Sequence, residues 1–151
     1  MARLWGSQRG FSLIEILIIA ALLGILMLGV VPQLFAPEDL DIELAARQVA
    51  VDLGMARRLA IAGRANYVAA FTPAGGPYTS YTVGIQGGGA EPDFPKSFAP
   101  GVTVTGVDQI IFAPAGSATP TGTIAINLAK GAATATVQII AATGRVRVIG
   151  P

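Results

Sequence analysis

The chain has 151 residues, 10 Lys and Arg against 9 Asp and Glu, a formal net charge of +1, and neither cysteine nor histidine. Its length allows one ordinary domain beside an anchoring segment, and from Gly54 onward seven basic residues stand against three acids, which makes that part of the chain mildly basic. Without cysteine there is no disulfide framework or thiol chemistry; without histidine the usual general base and the commonest transition-metal ligand are missing, so most hydrolase and metalloenzyme constellations cannot be assembled.

Met1 to Gly10 carries Arg3 and Arg9 and no acid, and positive charge beside an apolar segment holds that flank in the cytoplasm. From Phe11 to Val31 there are 21 residues, of which Glu15 alone is charged. As a helix rising about 1.5 Å per residue, this run spans the hydrocarbon thickness of a bilayer. A carboxylate there asks for a partner, since an acid at the centre of a span costs about 2.5–3.5 kcal/mol. An ordinary secretory signal has a shorter apolar core followed by a small-residue cleavage site, and Leu34-Phe35-Ala36-Pro37 is a poor one. Gly24, Gly29 and Pro32 loosen the second half of the run, and an interruption is expected between Pro32 and Pro37.

Gly10 followed by Phe11, Ser12 and Glu15 resembles the processing and assembly signature of type IV pilins and type II secretion pseudopilins. The resemblance implies that a prepilin peptidase cuts between Gly10 and Phe11, that the new N-terminal Phe11 is methylated, and that Glu15 pairs with the N-terminal amine of a neighbouring subunit. Phe11 and Glu15 stand one helical turn apart on one face, so both groups are presented together. Pro32 falls where that family often has a helix-interrupting proline, whereas Ser12 stands where threonine is common. The alternative is an uncleaved signal anchor whose Glu15 snorkels to the interface.

Glu38 to Ala62 reads as an amphipathic helix: Leu40, Leu44, Val51, Met55 and Leu59 recur at intervals of four and seven, beside a second band of Ile42, Val49, Leu53 and Ala60. Glu38, Asp39, Asp41 and Glu43 crowd its start and Arg57, Arg58 and Arg64 its end, each sign opposing the helix dipole there. Gly63 is the expected stop. The stretch Leu53 to Arg64 resembles a helix end of the GspH/FimT group of minor pseudopilins; the three arginines otherwise read as a solvated face.

Beyond Gly63, short β-prone runs alternate with Gly and Pro, which predicts an antiparallel sheet. Strands are expected near Asn66–Thr72, Tyr78–Ile85, Val102–Val107, Gln109–Phe112, Gly122–Leu128, Thr134–Ala141 and Arg145–Ile149, with Thr143-Gly144 turning the last hairpin. The segment Gly87 to Gly101 reads as an exposed loop, a spacer rather than a site. Ile110 to Gly116 and Thr143 to Val148 resemble two further fragments of the same group, so the likeness covers nearly the whole chain, with the N-terminal portion its most specific part.

Alternation along Arg145-Val146-Arg147-Val148 sends both guanidiniums to one face, about 7 Å apart, where they could bridge successive phosphates of double-stranded DNA. In some FimT-type minor pilins a Gly-Arg-x-Arg motif of this form contributes to DNA uptake in natural transformation; elsewhere in the group the same charges keep a sheet face soluble and block edge pairing. Glu91 and Asp93 sit in a Gly/Pro loop unsuited to holding a catalytic pair.

These readings predict an α+β, pilin-like chain: a leader over 1–10, a transmembrane and filament-core helix over 11–37, an amphipathic helix over 38–64 and an antiparallel β head over 65–151, with 38–151 one soluble domain. The resemblance implies a subunit of a secretion pseudopilus or type IV pilus, with no enzymatic activity, cofactor or metal. Its partners would be the peptidase, other pilin-type subunits, an inner-membrane assembly platform, lipid before assembly and, in the alternative reading, DNA. Its place would be the inner membrane, N-terminus cytoplasmic and head outside, before entry into a filament.

Overall fold

The computed structural model describes residues 12–34 and 37–150. They fall into two compact units that divide after residue 36. The first is a single helix, α1 (Leu13–Leu34), of 22 residues, about 33 Å long at 1.5 Å per residue. It passes through Pro32 and ends at Leu34; the expected interruption before Pro37 falls on residues 35 and 36, outside the described ones.

The second unit is α2 (Pro37–Gly63) followed by nine strands: β1 (Tyr67–Thr72), β2 (Ser80–Ile85), β3 (Lys96–Ser97), β4 (Thr103–Thr105), β5 (Gln109–Phe112), β6 (Ala118–Thr119), β7 (Thr123–Lys130), β8 (Ala133–Ile140) and β9 (Arg145–Ile149). The seven expected strands are present, and two short ones are added at 96–97 and 118–119. They form a five-stranded sheet in the order β3-β2-β1-β5-β6 and a four-stranded sheet in the order β4-β7-β8-β9, all antiparallel.

Both sheets pack on α2. The helix offers them Ile42, Ala46, Val49, Leu53, Ala56 and Ala60, each no more than 1% exposed, at alternating steps of four and three that keep one face inward. Three of the six are alanines, which let strands approach closely. From the five-stranded sheet Ala69, Phe71, Tyr81, Val83, Ile110 and Phe112 close the core; from the other, Val104, Ile124, Ile126, Leu128, Val137 and Ile139 do so. Each fully buried branched aliphatic contributes about 1.5–3 kcal/mol relative to an exposed one.

One expectation needs correction here and two others gain detail. Of the two apolar bands on α2, the one holding Ile42, Val49, Leu53 and Ala60 is the core, whereas Leu40, Leu44 and Val51 of the other are exposed. Gly63 is the last helical residue, as expected, and the left-handed turn that follows is taken by Arg64, with φ of 50°. The segment Gly87 to Gly101 is not a free spacer. Its second half is a strap: β3 pairs with β2, and Phe98 and Phe94 lie 5.2 and 5.9 Å from the Tyr81 ring.

Lys96 in this strap reaches Asp52 of α2, donating to its two carboxylate oxygens at 2.8 and 2.9 Å. Tyr81 donates its hydroxyl to Asp52 Oδ2 at 2.5 Å, and Gln48 Nε2 donates from 3.1 Å. Asp52 is 3% exposed, so the network supplies at once the countercharge and the donors that a buried carboxylate requires. Burial, and then the bond to Asp52, push the Tyr81 hydroxyl above its ordinary range.

A second polar junction ties the β1–β2 connection to the approach of β5. Asp108 Oδ1 accepts from the Gly75 N–H at 2.7 Å and from the Tyr78 hydroxyl at 2.9 Å. The Gly75 N–H, and then Tyr78, hold the Asp108 carboxyl below the usual carboxylate range, while burial, then Asp108, push Tyr78 up to about 12. The signs set two limbs of a stability profile. Asp108 contributes above its unfolded pKa of about 3.9, and that contribution is lost as pH falls through its lower folded value. Tyr78 contributes below about 10 and its contribution is lost as pH rises through about 12. In denaturant unfolding of the detergent-solubilised chain, Asp108→Asn is expected to flatten the acid limb and Tyr78→Phe the alkaline one; limbs unchanged from the parent's would refute the assignment.

Candidate functional site

Two surfaces answer to the residues singled out in the sequence. The first is α1. Ser12 stands at its N-cap, and its carbonyl accepts from the backbone N–H of Glu15 at 3.0 Å and of Ile16 at 3.2 Å. Glu15 therefore lies in the first turn, exposed, where the helix dipole favours a carboxylate. Every residue from Ser12 to Ile25 is exposed, Leu13 by 77% and Ile25 by 68%. Gly10 and Phe11, the cleavage and methylation positions, lie outside the described residues.

The second is β9. The chain alternates as the sequence predicts: Arg145 and Arg147 are exposed, while Val146 and Val148 pack against the core. Arg147 is opposite Gln138 of β8 and donates to its side-chain oxygen through Nε at 2.7 Å and also through Nη2. Neither arginine has a carboxylate within ion-pair distance among the described residues. Their neighbours on the same face, Ile140, Gln138 and Thr136 of β8 and Ala125 and Asn127 of β7, are uncharged. The strand thus presents two positive charges without an acidic partner on a neutral sheet face that mixes polar and apolar residues.

What holds this strand in place was missed in the sequence. Arg57 is half-buried rather than solvated like Arg58 and Arg64, and its Nε donates to the Gly116 carbonyl at 3.1 Å. Gly144, at φ of 60°, is buried against the same carbonyl; a Cβ there would lie 2.2 Å from Gly116 O and 2.9 Å from Arg57 Cδ. The end of α2, the β5–β6 turn and the β8–β9 turn therefore meet at one point. The signal was present in the two quoted fragments, Leu53–Arg64 and Thr143–Val148, but nothing in either says that they touch. Among the described residues no cluster of acids has the form of a metal site.

Residues 5–31 match the model of the prokaryotic N-terminal methylation motif. In fold, the chain is similar to the crystal structure of the type IV minor pilin FimU of Pseudomonas aeruginosa in two crystal forms. The P21 form gives a TM-score of 0.62 at 18% identity, covering 72% of this chain and 87% of that one; the P65 form gives 0.57 at 16%, covering 71% and 91%. No curated protein matches in sequence. The chain thus has a pilin-like α+β fold and an N-terminal methylation motif.

The junction at Gly144 is open to a direct check. Gly144→Ala combines a left-handed backbone with an overlap on Gly116, and should destabilise by about 2–4 kcal/mol. Gly150→Ala, with nothing within 4 Å of the new Cβ, should leave the thermal midpoint in place. Equal midpoints for the two variants would show that the junction does not constrain the hairpin.

Proposed function

We propose that the chain is a minor pilin or pseudopilin, a structural subunit that works by assembly rather than by turnover. The observation that carries this reading is α1: from Leu13 to Ile25 every residue is exposed and all but Glu15 are uncharged, in a chain whose second unit has a closed core of its own. Such a surface needs lipid first and other helices afterwards. The methylation motif supports processing by a prepilin peptidase between Gly10 and Phe11, with methylation of the new amine. Glu15 of one subunit then neutralises the amine of Phe11 in the next, so that the carboxylate leaves the membrane as a satisfied pair and each added subunit is held in register. The precursor sits in the inner membrane with its N-terminus cytoplasmic, and an assembly platform draws it into the filament of a secretion or pilus machine of the GspH/FimT kind. In Gly10→Val the chain should remain at precursor mass; in Glu15→Leu it should be cleaved normally yet be absent from sheared filaments. Full processing of the first variant, or normal incorporation of the second, would overturn the reading.

A second reading rests on β9. Two exposed arginines without acidic neighbours suit contact with the phosphates of double-stranded DNA, and a subunit so equipped would capture DNA for uptake. Gel-shift titration at two salt concentrations should then show binding that weakens with salt, and Arg145→Ala/Arg147→Ala should make the log–log salt slope shallower by about 2. Binding absent at low salt, or unchanged in the double variant, would leave the arginines as surface charge.

A further inference from the structure

Strand β9 is an edge of the four-stranded sheet: β8 pairs with one side of it, and no backbone hydrogen bond among the described residues leaves the other. The remaining sheet ends are short or stitched. Tyr78 donates its N–H to the Val104 carbonyl of β4 at 2.8 Å, Ala118 of β6 donates to the Ala141 carbonyl at 2.7 Å, and β3 is two residues long. By contrast, β9 runs five residues in unbroken register with β8 and contains no proline, so alternate residues turn an N–H and a carbonyl outward unpaired. Its two rows of side chains also differ. Val146 and Val148 pack against the core, while Arg145 and Arg147 face solvent with no acid within ion-pair distance among the described residues. Beside the C-terminal end of the strand, a recess of ≈ 260 Å³ lined by Glu43, Arg47, Val148 and Gly150 leaves room for a side chain next to the valine row.

An edge guarded by charge alone is selective. A second copy of β9 would set arginines within reach of arginines on the same face, which repels, whereas acids in those places attract. We infer that β9 accepts an added strand from a partner protein whose extended segment carries Asp or Glu at alternate positions. Main-chain bonds along the free edge supply the attachment, and the acids, on a strand about 4.8 Å away, meet Arg145 and Arg147. Residues between the acids fall on the opposite face and continue the Val146–Val148 row beside the recess. Gln138 accepts from Nε and Nη2 of Arg147, which leaves the other N–H groups of that guanidinium for the incoming acid. Double-stranded DNA would engage the same arginines but has no use for the backbone edge, and that edge is what favours a strand. The inference goes beyond the assembly reading and does not depend on how α1 is covered.

The full chain in detergent is titrated with a fluorescent peptide, Ser-Val-Glu-Thr-Glu-Val-Ser, and with its Lys-for-Glu counterpart. The acidic peptide should bind and slow amide hydrogen exchange over Arg145–Ile149, and the basic one should not; Arg145→Glu/Arg147→Glu should reverse the preference. Two further forms of the acidic peptide carry backbone N-methyl groups, one form at the glutamates and the other at the Val and Thr residues between and beside them. Pairing with an edge uses one alternate set of N–H groups, so one form should lose affinity by about tenfold or more while the other binds as before. No binding at about 1 mM acidic peptide overturns the inference, as does a preference that survives the charge reversal. An equal response of the two methylated forms also overturns it, because it marks a contact of charge alone and returns the arginines to the DNA reading. None of these results bears on assembly through α1.

Discussion

The second unit depends on one constraint: a single face of α2 must serve as the floor for two sheets. Ile42, Ala46, Val49, Leu53, Ala56 and Ala60 are packed from one side by β1, β2 and β5 and from the other by β7, β8 and β9. The alanines leave room for strands on both sides, and the larger residues between them fill the gap where the sheets diverge. Asp52 is the exception on this helix. Placing a carboxylate in such a setting is tolerable because the strap delivers Lys96 and the sheet delivers Tyr81 to the same two oxygens. The first unit has the opposite character over its described side chains, since every residue of α1 from Leu13 to Ile25 is exposed.

Much of this was legible beforehand, and the failures have physical causes. Strand positions were readable because alternation and turn residues are local signals; Gly144 was readable because a tight hairpin turn needs a positive φ. The choice between the two bands of α2 was not. Periodicity gives spacing but not which face is inward, and the face that won is marked by alanines, which weigh little as apolar residues although they pack closely. Glycine and proline density hid the strap, where the determining fact is that Lys96 meets a carboxylate 44 residues away. Arg57 was misread for the same reason, its partner being the backbone of Gly116, 59 residues on.

The candidate surfaces were legible to different depths. Arg145 and Arg147 share a face because strand alternation requires it, and the structure adds that Gln138 steadies one of them and that the surrounding sheet is uncharged. For Glu15 the sequence supplies the oddity of an acid in an apolar run. The structure supplies its place in the first turn of the helix, where the dipole already favours it.

The order in which the chain is made bears on how the head can close. The helix α2 precedes every strand, and three of those that cover it, β7, β8 and β9, lie at residues 123–149. These three are joined as a meander of sequential hairpins whose pairings are local, so they can form quickly once present. Until they are present, half of the face on α2 stays bare. During synthesis the inward face of α2 is therefore incompletely covered for most of the chain's length, and the head can close only after its final hairpin has been made.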